Sequence, residues 1–245
     1  MDLTKFDAVL FDLDSTLTNT QNYPIEASEW LLKQLTEDTS EILAPYVRSL
    51  FGYYRAGIDE IAAGGVYRSP ADIIRKAVLQ SLDEIGLKIE TDTLDNALEV
   101  FKQLHIDRSI PAHGVENLLR KIKKHSLRMG VFTNSFQGNA EIILRRHALA
   151  DFFEVIADGS DIPAFKPMKE AFYFMAEKMN VPTSSCIYVG DEYYSDIVGA
   201  TSAGMSAVWI NKRGRSLEEN LKRYGQETNP ILVLDSILDL SNFYP

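Results

Sequence analysis

Ala8-Val9-Leu10-Phe11-Asp12-Leu13-Asp14-Ser15-Thr16-Leu17-Thr18 begins with an unbroken apolar run and then places two carboxylates directly after it. Such a run predicts a parallel strand buried on both faces. In an open α/β sheet, ligands bind beyond the carboxyl ends of the strands, which is where Asp12 and Asp14 stand. Side chains two residues apart on extended backbone point the same way, so both can face one pocket. Two like charges so placed need a metal, a proton or a cationic neighbour. The stretch alone also admits a blander reading, an acidic strand end in which Ser15 and Thr16 act as capping residues.

Working outward, the chain has 245 residues, 45% of them hydrophobic and 24% charged. That is enough for one large domain or two modest ones. A net charge of −10 argues against a nucleic-acid polymer as the main partner. The single Cys186 precludes an internal disulfide, which fits a reducing compartment. The start, MDLTKFD, lacks the basic and then apolar build of a signal peptide, and no apolar run approaches the roughly 20 residues that span a bilayer. A cytoplasmic protein without membrane contact is expected. His105, His113, His125 and His147 have no metal-ligand spacing.

After the opening stretch the pattern turns helical. Apolar residues recur at helical spacing over 25–35, 41–54, 71–85 and 93–104, with Ile73, Ile74, Ala77, Val78, Leu82 and Ile85 forming the clearest face. Between the second and third of these, 57–70 reads as a loop and helix start. A region of this size predicts a small helical domain over 19–107, inserted into an α/β domain made of 1–18 and 108–245. From Pro111 strand and helix alternate. Strands are expected over 127–132, 153–157, 186–189, 206–210 and 231–234. Helices are expected over 114–124, 139–147, 167–180 and 195–203.

Phe11-Asp12-Leu13-Asp14-Ser15-Thr16-Leu17 resembles the first motif, DxDxT after a hydrophobic strand, of the haloacid dehalogenase superfamily, most of whose members are magnesium-dependent phosphatases. Val131-Phe132-Thr133-Asn134-Ser135 is similar to the second motif, a strand ending in a hydroxyl. Phe165-Lys166-Pro167 resembles the third, although Met168-Lys169-Glu170 follows where relatives often carry an acidic residue and a second proline. Val189-Gly190-Asp191 with Asp196 fits the GDxxxxD form of the fourth. All stand in family order at expected strand ends.

The resemblance implies an α/β fold, a Rossmann-like parallel-sheet core with an inserted helical cap. It implies Mg²⁺ as cofactor and a small phosphate ester as substrate. Asp12 would be the nucleophile, and Asp14 the general acid and then base. Thr133, Asn134 and Lys166 would hold phosphoryl oxygens, Lys166 beside a helix N-terminus. Asp12, the Asp14 carbonyl and Asp191 would ligate the metal. Asp196 would support it, through water or by holding Lys166, while Glu192 stays open. Among phosphatases, the likeness is to those acting on nucleoside monophosphates, sugar phosphates and acylneuraminate 9-phosphate. A phosphomutase and a non-catalytic module on the same fold are the rivals, while Asp14 argues against dehalogenation. Within the insert, Gly64-Gly65-Val66-Tyr67-Arg68 is the expected selector of the leaving group, with Arg68 offering planar donors. A homodimer stays open.

Overall fold

Ala8–Phe11 forms strand β1, all four of its side chains fully buried. The protein is described here by a computed structural model covering residues 1–20, 22–63, 65–158, 161 and 164–245. In chain order the further elements are β2 (Thr18–Thr20), α1 (Tyr23–Lys33), α2 (Leu43–Ala62), α3 (Pro70–Glu84), α4 (Thr91–Arg108), β3 (Ser109–Pro111), α5 (Val115–Lys124), β4 (Arg128–Thr133), α6 (Asn139–Arg146), β5 (Val155–Asp158), α7 (Lys169–Lys178), β6 (Cys186–Gly190), α8 (Gly199–Ser202), β7 (Ser206–Ile210), α9 (Leu217–Tyr224) and β8 (Leu232–Leu234). A π-helical turn, Tyr193–Val198, leads into α8.

Six strands form a parallel sheet in the order β5-β4-β1-β6-β7-β8. The fold is therefore α/β with a Rossmann-like core. Chain order runs from β1 outward through β4 and β5, then crosses to β6 on the other side. The carboxyl ends of β1, β4 and β6 consequently lie side by side at the point where strand order reverses, the favoured ligand position in such sheets. One face of the sheet is sealed by aromatic and methionine side chains, with Phe172 edge-on to Tyr188 at 5.0 Å and Tyr193 edge-on to Trp209 at 4.9 Å. Full burial of each such ring contributes about 2–3 kcal/mol relative to exposure.

The chain divides into two compact units, Met1–Asn19 with Ile110–Pro245, and Thr20–Ser109. The first carries the sheet. The second contains α1 to α4, and β2 pairs with β3 where the chain passes between the units. Within the helical unit, α3 starts on a capping box between Ser69 and Asp72 with Pro70 in its first turn.

Two expectations about elements are corrected. Gly57 does not open a loop, because α2 runs on to Ala62. A Cβ at position 57 would meet Ile73 Cγ2 at 2.9 Å, so this glycine lets α2 approach α3. Pro167 does not stand in the first turn of a helix either. The Lys166–Pro167 bond is cis, Met168 is extended, and α7 begins only at Lys169. No helix among the described residues is long and apolar enough to cross a membrane.

Candidate active site

The site lies at the carboxyl ends of β1, β4 and β6. Asp12 follows β1, and its N–H extends the ladder by donating to the Val189 carbonyl (2.9 Å). Asp191 directly follows β6, and Asp196 sits in the π-helical turn beyond it. The chain then reverses after Asp14 through Ser15 at φ 61°, and Thr18 closes the turn with its N–H on the Leu13 carbonyl (2.9 Å).

Lys166 is the centre of the arrangement. It is 2% exposed, and its Nζ donates to Asp12 Oδ1 (2.5 Å) and Asp196 Oδ1 (2.8 Å). Asp196 is fully engaged, since its Oδ2 accepts from the Glu192 N–H (2.9 Å). Gly190 makes this possible. A Cβ there would lie 2.3 Å from Asp196 Oδ2, so only glycine leaves room for that carboxylate against the strand end.

Charge is unbalanced. Burial pushes the Asp12 carboxyl well above the usual carboxylate range, with Lys166 opposing and Asp196, Asp191 and Asp14 adding to the rise. Burial likewise lifts Asp191 to about 7, aided by Asp196 and Glu192 and opposed by Arg213 and Lys166. For Lys166 burial acts downward, but Asp12 and Asp196 outweigh it and hold the ammonium charged. One buried cation thus faces a crowd of carboxylates. Oxygens of Asp12, Asp191 and Asp196 lie within 4.8 Å of one another. Among the described residues the Asp191 carboxylate accepts no hydrogen bond, and Asp12 spends only one oxygen. Hard, buried, unpaired oxygens of this kind suit a divalent cation.

A family model described as haloacid dehalogenase-like hydrolase matches residues 6–204. The chain belongs to this family. It is 26% identical over 235 residues to a phosphoglycolate phosphatase of Pseudomonas savastanoi pv. phaseolicola, covering 95% of this chain and 77% of that one. It is 25% identical over 246 residues to the pyrophosphatase PpaX of Bacillus anthracis, covering 96% and 95%. Among solved structures, YfnB of Bacillus subtilis, determined bound to magnesium, superposes with a TM-score of 0.76 at 21% identity, covering 98% and 99%. That likeness is one of fold.

The structure brings Asp12, Lys166, Asp191 and Asp196 together in this hydrolase. Asp14 stays near enough for its charge to act on Asp12. Thr133 ends β4 and is 2% exposed, and the neighbouring Ser135 hydroxyl is buried with no partner among the described residues. Asn134 has a role the sequence did not suggest. Its Nδ2 donates to the Lys166 carbonyl (2.9 Å), and its Oδ1 accepts from the Lys166 N–H (3.0 Å). This side chain clamps the Lys166 backbone across the gap between β4 and the third motif. Lys166 therefore owes its position to Asn134, Asp12 and Asp196, and not to the first turn of a helix.

Two supporting residues escaped the sequence reading. Arg215 donates from Nη2 to the Asp191 carbonyl (3.1 Å) and from Nη1 to Glu192 Oε2 (3.0 Å). Arg213 Nη1 reaches Glu192 Oε1 (3.1 Å). Glu192 thereby ties the loop after β6 to the loop after β7. The available signal was the cluster Lys212-Arg213-Gly214-Arg215 just past an expected strand. Arg68 belongs to the helical unit, where its guanidinium grips both oxygens of Glu60 (2.7 and 3.3 Å). Gly64 of the expected selector loop lies outside the described residues.

Proposed function

We propose that this hydrolase is a Mg²⁺-dependent phosphatase that cleaves a small phosphate monoester through an aspartyl-phosphate on Asp12. The observation that carries the reading is the buried Asp12 carboxylate, held at one oxygen by Lys166 beside the unpaired Asp191. Lys166 fixes Oδ1, which leaves Oδ2 to attack phosphorus. A new P–O bond forms as the bond to the leaving oxygen breaks, and Asp14 gives that oxygen its proton. Asp14, now a carboxylate, takes a proton from the water that attacks the acyl phosphate, and the P–O bond to Asp12 is exchanged for one to water. Thr133 and Lys166 hold phosphoryl oxygens during both steps. Asp12, the Asp14 carbonyl and Asp191 would hold Mg²⁺, which when bound offsets the negative charge of the phosphoryl group. Asp196 acts on Lys166. Arg68 is a candidate reader of the leaving group.

Support for the reading comes from the phosphatase and pyrophosphatase relatives and from an acidic residue at Asp14, which dehalogenation would not require. The test is a screen of phosphorylated metabolites for phosphate release with Mg²⁺ and with EDTA. Metal-dependent release that vanishes in Asp12→Asn supports the reading. No release from any ester, or full activity in Asp12→Asn, overturns it.

A further inference from the structure

Strand β7 delivers the chain into Asn211-Lys212-Arg213-Gly214-Arg215 at the same end of the sheet as Asp191. This turn is locked onto itself. Asn211 Nδ2 donates to the Arg215 carbonyl (2.8 Å), and the Arg215 N–H donates to Asn211 Oδ1 (2.9 Å). The Gly214 N–H donates to the Asn211 carbonyl (3.1 Å), and Gly214 takes φ 59°, which glycine adopts without steric cost. A turn so braced fixes where its side chains leave the backbone.

Both arginines of the turn are spent on Glu192. Lys212 is not spent. It forms no ion pair among the described residues, and its Nζ donates to the neutral Asn19 Oδ1 (3.2 Å) in the same unit. The residue is exposed, yet partial desolvation of its ammonium lowers its pKa, opposed by the charges of Asp191 and Asp12. Lys166, by contrast, is already paired with two carboxylates. Lys212 is thus a positive charge at the edge of the site without an anion of its own.

Sheet order says what it meets. The donors expected to hold the phosphoryl group, Thr133 and Lys166, lie on the β4 side of Asp12 or directly against it. Lys212 leaves β7, two strands away on the other side, about 10 Å at ordinary strand spacing. A group reached from there is displaced from phosphorus toward the exposed rim.

We propose, on the strength of the phosphatase reading above, that Lys212, seated on Asn19 by the clamped turn, binds a second anionic group carried by the leaving group of the substrate. Asn19 orients the ammonium without neutralising it. The substrate class is a phosphate monoester whose alcohol bears a carboxylate or a further phosphate, and Lys212 is a specificity-determining residue.

Ethyl phosphate and 2-phosphoglycolate test this, because they differ in a methyl against a carboxylate. For the wild-type protein, kcat/KM with Mg²⁺ should favour 2-phosphoglycolate by about tenfold or more. Lys212→Met should collapse that ratio by about tenfold, and Lys212→Arg should keep most of it. Calorimetric binding of both esters to Asp12→Asn, with and without Lys212→Met, should show the same change in ratio without turnover. A ratio equal in wild type and Lys212→Met, or no wild-type preference, overturns the role of Lys212 while leaving the phosphatase reading intact. Absence of turnover with the binding ratio still dependent on Lys212 overturns the phosphatase reading and leaves the anion site standing.

Discussion

Asp191 offers the sharpest test of the electrostatics. Its carboxyl is 7% exposed and accepts no hydrogen bond among the described residues, and burial raises it from 3.8 to about 7. The folded protein then binds more protons than the unfolded chain between those two values. A penalty is therefore absent below about pH 4, grows as pH rises, and is complete above about pH 7. Asp12 shifts in the same direction, whereas the raised Lys166 acts only at far higher pH. At about 1.4 kcal/mol per pKa unit, the difference for Asp191 corresponds to about 4 kcal/mol. Local relaxation and water entry bring the expected value to about 2–4 kcal/mol. Denaturant unfolding in EDTA at pH 5, where over a third of the penalty is already present, and at pH 8 should show wild type losing about 1–2.5 kcal/mol relative to Asp191→Asn, which carries no charge there. At pH 8, Mg²⁺ should restore the loss in wild type by binding the folded state alone, and should act weakly on Asp191→Asn. An equal difference between wild type and variant at both pH values would refute the reasoning. So would an equal response of both to Mg²⁺.

Further outcomes follow from named contacts. Asp12→Asn should lower phosphate release by at least about 10⁴-fold while the protein still unfolds cooperatively, and substantial residual activity would remove the covalent step. Gly190→Ala should force Asp196 aside, costing about 1–3 kcal/mol and displacing Lys166. Wild-type stability and turnover together would show that the strand end has room. Asn134→Ala should cost about 1–3 kcal/mol, because it leaves the Lys166 N–H and carbonyl without their partner. Turnover should fall with it, and an unchanged unfolding curve would deny the clamp. Arg68→Ala should reduce kcat/KM more for the preferred ester than for p-nitrophenyl phosphate. Equal losses on both would confine Arg68 to its tie with Glu60.

The parts of this site that could be read in the sequence are those in which cause and effect lie close along the chain. An apolar run makes β1, and the residues just past it must lie at its carboxyl end, so Asp12 could be placed without knowing what surrounds it. Gly190 and Asp196 are similarly local, since the strand end and the turn after it form one contact. What could not be read depends on pairs separated in the chain. Asn134 is an ordinary strand-end residue until it meets the Lys166 backbone, 32 positions away. Arg215 is one cation of a cluster until Glu192, 23 positions earlier, accepts from it. Local rules also misread residues whose tertiary role outweighs propensity. Gly57 looks like a helix breaker because glycine costs about 1 kcal/mol in a helix, yet close packing of Ile73 needs its missing side chain.

Lys166 shows how such distant pairs act together. Removing Asp196 would leave its ammonium with Asp12 alone, and a tighter Asp12–Lys166 pair would make the Asp12 carboxylate a poorer nucleophile. Two carboxylates sharing one buried cation hold Lys166 charged and in place while leaving Asp12 only partly neutralised. On that argument Asp196→Asn should depress turnover as well as stability, because the single asparagine oxygen can accept from Lys166 or from the Glu192 N–H but not both, and it cannot share the Lys166 charge. Unfolding curves set beside phosphate release decide it. A variant that loses stability and keeps turnover would show that Asp196 braces the loop and does not tune Asp12.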